Sequence, residues 1–124
     1  METIIKIGKE NVRLRANALT AIHYKNQFKS DILKDTLKCL GGIETVVELQ
    51  DLTNAEDYKK LQLLLDQIDT VITYQFLWAW AKTADKSIEP FYDWVDRMDL
   101  PPVTDLLLAD GFVDLLVGNV HRKK

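Results

Sequence analysis

Apolar positions follow two rhythms along this chain, a period of two at the start and a period near 3.6 afterwards. Thr3-Ile4-Ile5-Lys6-Ile7 is rich in β-branched residues, Gly8-Lys9-Glu10-Asn11 supplies turn chemistry, and Val12-Arg13-Leu14-Arg15 alternates apolar and basic. This predicts a β-hairpin over 3–15, with Val12 and Leu14 inward and Arg13 and Arg15 in water. Thr20 is placed to cap a helix through Ala21–Phe28, where Ile22, Tyr24 and Phe28 recur at helical spacing. Ser30 can cap Asp31–Leu40, striped by Ile32, Leu33, Leu37 and Leu40 and stopped by Gly41-Gly42. One helix and two both fit this stretch. Ile43–Leu52 fits a helical turn or a short strand.

The strongest helical signal runs from Asn54 or Ala55 to Ala84. Leu61, Leu64, Leu65, Ile68, Ile72, Phe76 and Ala79 form a continuous stripe, with Asp66, Gln67 and Asp69 off it. From Val71 to Ala81 the pattern is apolar nearly all round. Such a helix must be covered on every side, by its own domain or by another chain. Ser87 then caps a short helix carrying Phe91, Trp94 and Val95, with Pro90 in its first turn. After Pro101-Pro102, a last helix runs from Val103 or Thr104 to Val120. Its main stripe is Leu106, Ala109, Val113, Leu116, Val117 and Val120, and a second stripe of Leu108, Phe112 and Leu115 lies on roughly the opposite side.

The prediction is a mostly α fold with a small N-terminal β-hairpin (α+β), four to five helices in one domain spanning 1–124. The helical body covers 20–120 and a basic tail 121–124. The length of 124 residues, with 47 % hydrophobic and 28 % charged residues, suits one domain with a real core. No window approaches the roughly 18 consecutive apolar residues of a membrane span, and the opening residues lack the pattern of a signal peptide. Cys39 is the lone cysteine, so an internal disulfide is excluded and a reducing cytoplasm is expected.

Net charge is −3, unevenly spread. Residues 1–40 carry eight Lys/Arg against four Asp/Glu, residues 41–120 five against fifteen, and the tail adds Arg122, Lys123 and Lys124. An acidic body argues against nucleic acid as a partner, because phosphate binding needs a concentrated basic surface. Catalytic patterns are missing: no Gly-rich phosphate loop, HExxH, CxxC or GxSxG occurs. Asp93, Asp96 and Asp99 share a helical face that reads as solvated, since a hard cation wants six or more oxygens in a shaped cage. His23 and His121 stand alone. No enzyme activity, cofactor or metal is expected.

The aromatics Tyr74, Phe76, Trp78, Trp80, Phe91, Tyr92 and Trp94 cluster in one quarter of the chain. They either build the core or offer one or two exposed anchors of the kind that dominate protein interfaces. By apolar character off the main stripes, the candidate partner-binding residues are Leu108, Phe112 and Leu115, then Leu77, Trp78 and Trp80.

Three segments, in order, carry a likeness to a known family. They are the hairpin leading through Val12–Thr20 into Tyr24-Lys25-Asn26-Gln27-Phe28 and Asp31-Ile32-Leu33; then Trp78–Asp85; then Ile88-Glu89-Pro90 with Trp94-Val95-Asp96. Together they resemble the tail assembly chaperones of long-tailed, siphovirus-type phages and prophages of Gram-positive bacteria. Ala21 stands where that family often has proline, and Lys29 where glycine is common. The resemblance implies a non-enzymatic factor that coats the tape measure protein, keeps it soluble and recruits tail tube protein, self-associating in the host cytoplasm and absent from the mature virion. The family often makes a longer product by frameshifting, with which Lys123-Lys124 is compatible. A helical adaptor or regulator unrelated to tails is the alternative.

Overall fold

The computed structural model describes residues 1–40 and 68–120. The stretch 43–52 and the stripe residues Leu61, Leu64 and Leu65 lie outside the described residues, as does the basic tail.

Strands β1 (Glu2–Ile7) and β2 (Glu10–Arg15) pair antiparallel, from Glu2 opposite Arg15 to Ile7 opposite Glu10. The turn is therefore two residues, Gly8-Lys9, with Gly8 at φ 61°, and Glu10 and Asn11 belong to the strand rather than the turn. The alternation holds. Ile5, Ile7 and Leu14 are buried and Val12 half-buried, while Arg13 and Arg15 both pair with Glu2, at 2.8 and 2.9 Å.

Helix α1 spans Ala18–Phe28 and α2 spans Ile32–Leu40, so the open question resolves as two helices. Thr20 does not cap α1. Asn17 does, accepting from Leu19 N–H at 2.8 Å while its own N–H donates to Thr20 Oγ1 at 3.2 Å, a reciprocal capping box. Asn is as strong a cap as any residue, and its position starts the helix earlier. Lys29 ends α1 in the left-handed region at φ 58°. At the start of α2, Asp31 accepts from Lys34 N–H at 3.0 Å, while Ser30 donates to the Asp35 carboxylate at 2.9 Å instead of capping.

Helix α3 spans Thr70–Ala84. Asp69 caps it with extended backbone at φ −78°, ψ 123°, accepting from Ile72 N–H at 3.0 Å. The expected unbroken helix from 54 or 55 to 84 is thus corrected: Asp69 starts a helix rather than continuing one. Helix α4 (Phe91–Arg97) begins behind Pro90, and Ser87 is held by Asp85 at 2.6 Å rather than capping it. The single last helix is also corrected to two, α5 (Val103–Leu107) and α6 (Phe112–Gly118). Gly111 breaks it at φ 84°, where a Cβ would sit 2.8 Å from Thr3 Oγ1. β1 packs against the break.

The described residues therefore form a mostly helical single domain with an N-terminal two-stranded hairpin and six helices, five of them of seven residues or more. At its centre lies α3. Phe76 through Ala81 are six consecutive buried residues. β2, α1, α2, α4 and α5 all pack against this helix, so the domain itself covers the Phe76–Ala81 stretch, while Val71 at its start stays 58 % exposed.

Candidate protein-binding surface

Five of the six candidate contact residues lie inside the monomer. Leu77, Trp80, Phe112 and Leu115 are fully buried and Trp78 is 3 % exposed. Each indole has an internal use. Trp80 meets Phe112 edge-on at 5.3 Å and donates Nε1–H to Asn119 Oδ1 at 3.1 Å, while Trp78 packs on Phe28 at 5.5 Å and donates to the Glu89 carbonyl at 2.9 Å. The second stripe on the last helix is no continuous face, because Gly111 turns α6 away from α5. Leu108, at the end of α5, remains at the surface, 53 % exposed. The expectation of exposed anchors at the other five is corrected to core.

Sequence reasoning missed another set of exposed apolar side chains. Leu19 and Ile22, one turn apart on α1, are 41 % and 52 % exposed, and Leu33 on α2 is 43 % exposed. By sequence spacing, Ile22 and Leu33 fall on the apolar positions of their helices. The signal that separates them is the polar side of the same helices: Thr20 and Thr36 are buried, so the buried faces run through hydroxyls. Thr20 meets Thr83 of α3 at 2.9 Å, and Thr83 donates to Ala79 O at 2.7 Å. Thr36 donates to Ile32 O at 2.6 Å and accepts from Asn119 at 3.3 Å.

Concavities among the described residues flank this scaffold. One, of about 370 Å³, lies between β2, the end of α3 and α4, floored by Val12, Ala81, Ile88, Trp94 and Met98. Its rim is tied by Arg97, which holds Glu89 at 2.7 and 3.0 Å and Glu10 at 3.6 Å; these bonds link hairpin to helix. Another, of about 280 Å³, is a furrow between the first turns of α1 and α2 and the end of α6. Ala18, Ala21, Ile32, Leu33, Gly118 and Val120 line it, beside Asn17, Thr20, Asp31 and Asn119.

Titratable groups near the core are set for structure. Tyr24, fully buried, donates to Asp35 at 2.7 Å with the Gln75 amide at 2.9 Å. A phenol has one proton, so with Asp35 accepting it the amide presents its NH₂. Burial, then the Asp35 hydrogen bond, pushes the phenol far above its ordinary range. Burial likewise raises the Cys39 thiol, which keeps it protonated and a poor nucleophile. His23 has a buried Nε2 with no hydrogen-bond partner, and burial followed by Lys82 and Lys86 lowers its pKa. Among the described residues no three His, Cys, Asp or Glu side chains gather as a metal site, and no helix is long and apolar enough to cross a membrane.

Charge is segregated as well. Lys25, Lys29, Lys34 and Lys38 lie on or between α1 and α2, with Asp31 and the hydrogen-bonded Asp35. Residues 68–120 carry nine acids against three bases. The arrangement combines a helical frame, exposed apolar residues on α1 and α2, and a furrow whose one charged lining residue is Asp31. Compared with known proteins, the chain matches no family model, no curated protein and no solved structure.

Proposed function

We propose that this protein is a tail assembly chaperone of a long-tailed phage or prophage, which binds the tape measure protein, keeps it soluble in the host cytoplasm and helps recruit tail tube subunits. One observation carries the reading: the three segments of the family likeness meet in space. Thr20 of the first hydrogen-bonds Thr83 of the second at 2.9 Å. Phe28 packs on Trp78 at 5.5 Å and on Phe91 at 5.0 Å, and Trp78 donates to the Glu89 carbonyl of the third at 2.9 Å.

The surface adds a physical rationale. A tape measure is a long helical chain with apolar faces, and shielding it calls for a soluble body with apolar helix surface to offer, as in helix-in-groove recognition. Leu19, Ile22 and Leu33 supply such surface. Co-expression with the tape measure protein of the same genome tests this: a soluble complex containing both chains is expected. A tape measure that stays insoluble, with no co-purifying chaperone, would contradict it.

A further inference from the structure

We infer that the outer edge of β1 pairs with the same edge of a second copy of this chain, antiparallel and two-fold about Ile4, joining the two hairpins into one sheet. The inference goes beyond the chaperone reading and does not depend on it.

The register of the hairpin decides which backbone groups face outward. Met1 and Ala16 exchange bonds, Ala16 N–H donating to Met1 O at 2.9 Å and the Met1 amine to Ala16 O at 3.3 Å. Bonded and non-bonded pairs alternate along an antiparallel ladder, so Thr3–Leu14, Ile5–Val12 and Ile7–Glu10 are the next bonded pairs. The N–H and C=O groups of Glu2, Ile4 and Lys6 therefore point away from β2. Among the described residues, none of these groups has a backbone partner. Such a row on a sheet edge is a template for another strand. The edge on β2 is not equivalent, because across a cleft it faces the end of α3 and α4.

Side chains choose the occupant. Glu2, Ile4 and Lys6 share the exposed face of β1, with Ile4 59 % exposed. Antiparallel pairing centred on Ile4 sets Ile4 against Ile4 of the second copy, Glu2 against its Lys6, and Lys6 against its Glu2. Each of these pairs exchanges backbone hydrogen bonds in both directions, and opposite charges directly across strands attract. Among the described residues, Lys6 has no ion pair within its own chain. A row across the joined sheet then reads Arg15, Glu2, Lys6, Asn11, with a base on either side of the carboxylate. Edge lysines ordinarily discourage pairing, but here each one meets a glutamate. The same symmetric pairing through β2 would set Arg13 against Arg13 and Asn11 against Arg15, which like charge opposes. The order acid, apolar, base along β1 is its own complement, so a second copy supplies the matching strand by symmetry.

The interface is small, so the full chain is expected to sediment as a monomer when dilute and as a dimer toward millimolar concentration. Amide exchange read by NMR adds a residue-level signature. Ile4 and Lys6 should slow on concentration, whereas Ile5 and Ile7, bonded within the hairpin, stay slow throughout. Ile4→Pro removes an outward N–H without touching the hairpin's own ladder. It should weaken dimerisation at least about tenfold, with circular dichroism retained. Lys6→Glu and Glu2→Lys should each weaken self-association at least about tenfold. An equimolar mixture of those two variants should recover a mixed dimer, a result that loss of structure cannot produce. A chain that stays monomeric throughout, undiminished dimerisation by Ile4→Pro, or a mixture that fails to pair would overturn the inference. So would growth past the dimer into open arrays, the product of head-to-tail pairing between β1 and β2.

Discussion

Lys29 shows how one residue's backbone sets the relation between two helices. It sits at φ 58° with its N–H bonded to Lys25 O at 2.9 Å, closing α1, and its Nζ reaches Asn26 O at 2.9 Å. A Cβ makes this conformation unfavourable, and glycine removes that strain at the expense of a more disordered unfolded chain. Lys29→Gly is therefore expected to stabilise the protein by about 0.5–1 kcal/mol, read by urea denaturation; destabilisation would mean the Nζ contact outweighs the strain. Local chemistry at this scale was partly legible. The caps were recognisable as cap residues, yet Asn17 and Asp31, not Thr20 and Ser30, took the role. Competition between neighbouring cap candidates is decided by where the helix must start to bury its face, and tertiary contacts settle that.

At the scale of elements, the hairpin was legible because alternation and a glycine turn agree, and α3 because eleven nearly continuous apolar residues admit few alternatives. Hydrophobic periodicity failed where a glycine interrupts it. The Leu106-to-Val120 stripe keeps helical phase across Gly111, but the chain adopts φ 84° there to bring β1's Thr3 against the break. Gly111→Ala forces both a left-handed alanine and a contact at 2.8 Å with Thr3 Oγ1. It should cost about 1–2 kcal/mol and lower Tm. If the variant is as stable as the parent, the break is a soft joint rather than a fixed corner. The buried faces of α1 and α2 were harder to read, since Thr20 and Thr36 point inward while Leu19, Ile22 and Leu33 remain at the surface. A hydroxyl that finds a buried partner, as Thr20 does in Thr83, inverts the usual assignment of polar to outside.

At the scale of the whole molecule, the fold turns Trp78, Trp80, Trp94, Phe76 and Phe91 inward and leaves Tyr92 at the surface, 81 % exposed. From Phe76 to Ala81 the greasy segment of α3 is sealed by the domain's own elements, so both tryptophans of that segment build core. The apolar surface that remains on the first two helices is smaller: Leu19, Ile22 and Leu33. That surface was not legible in the sequence, because the buried faces of α1 and α2 run through Thr20 and Thr36 instead. Hydrogen exchange of the full chain, alone and with tape measure protein bound, probes this account most directly. Slowed exchange confined to Ala18–Lys25 and the start of α2 is the predicted result. Unchanged exchange in those segments, with protection appearing instead around Leu108 or the β2–α4 cleft, would contradict it.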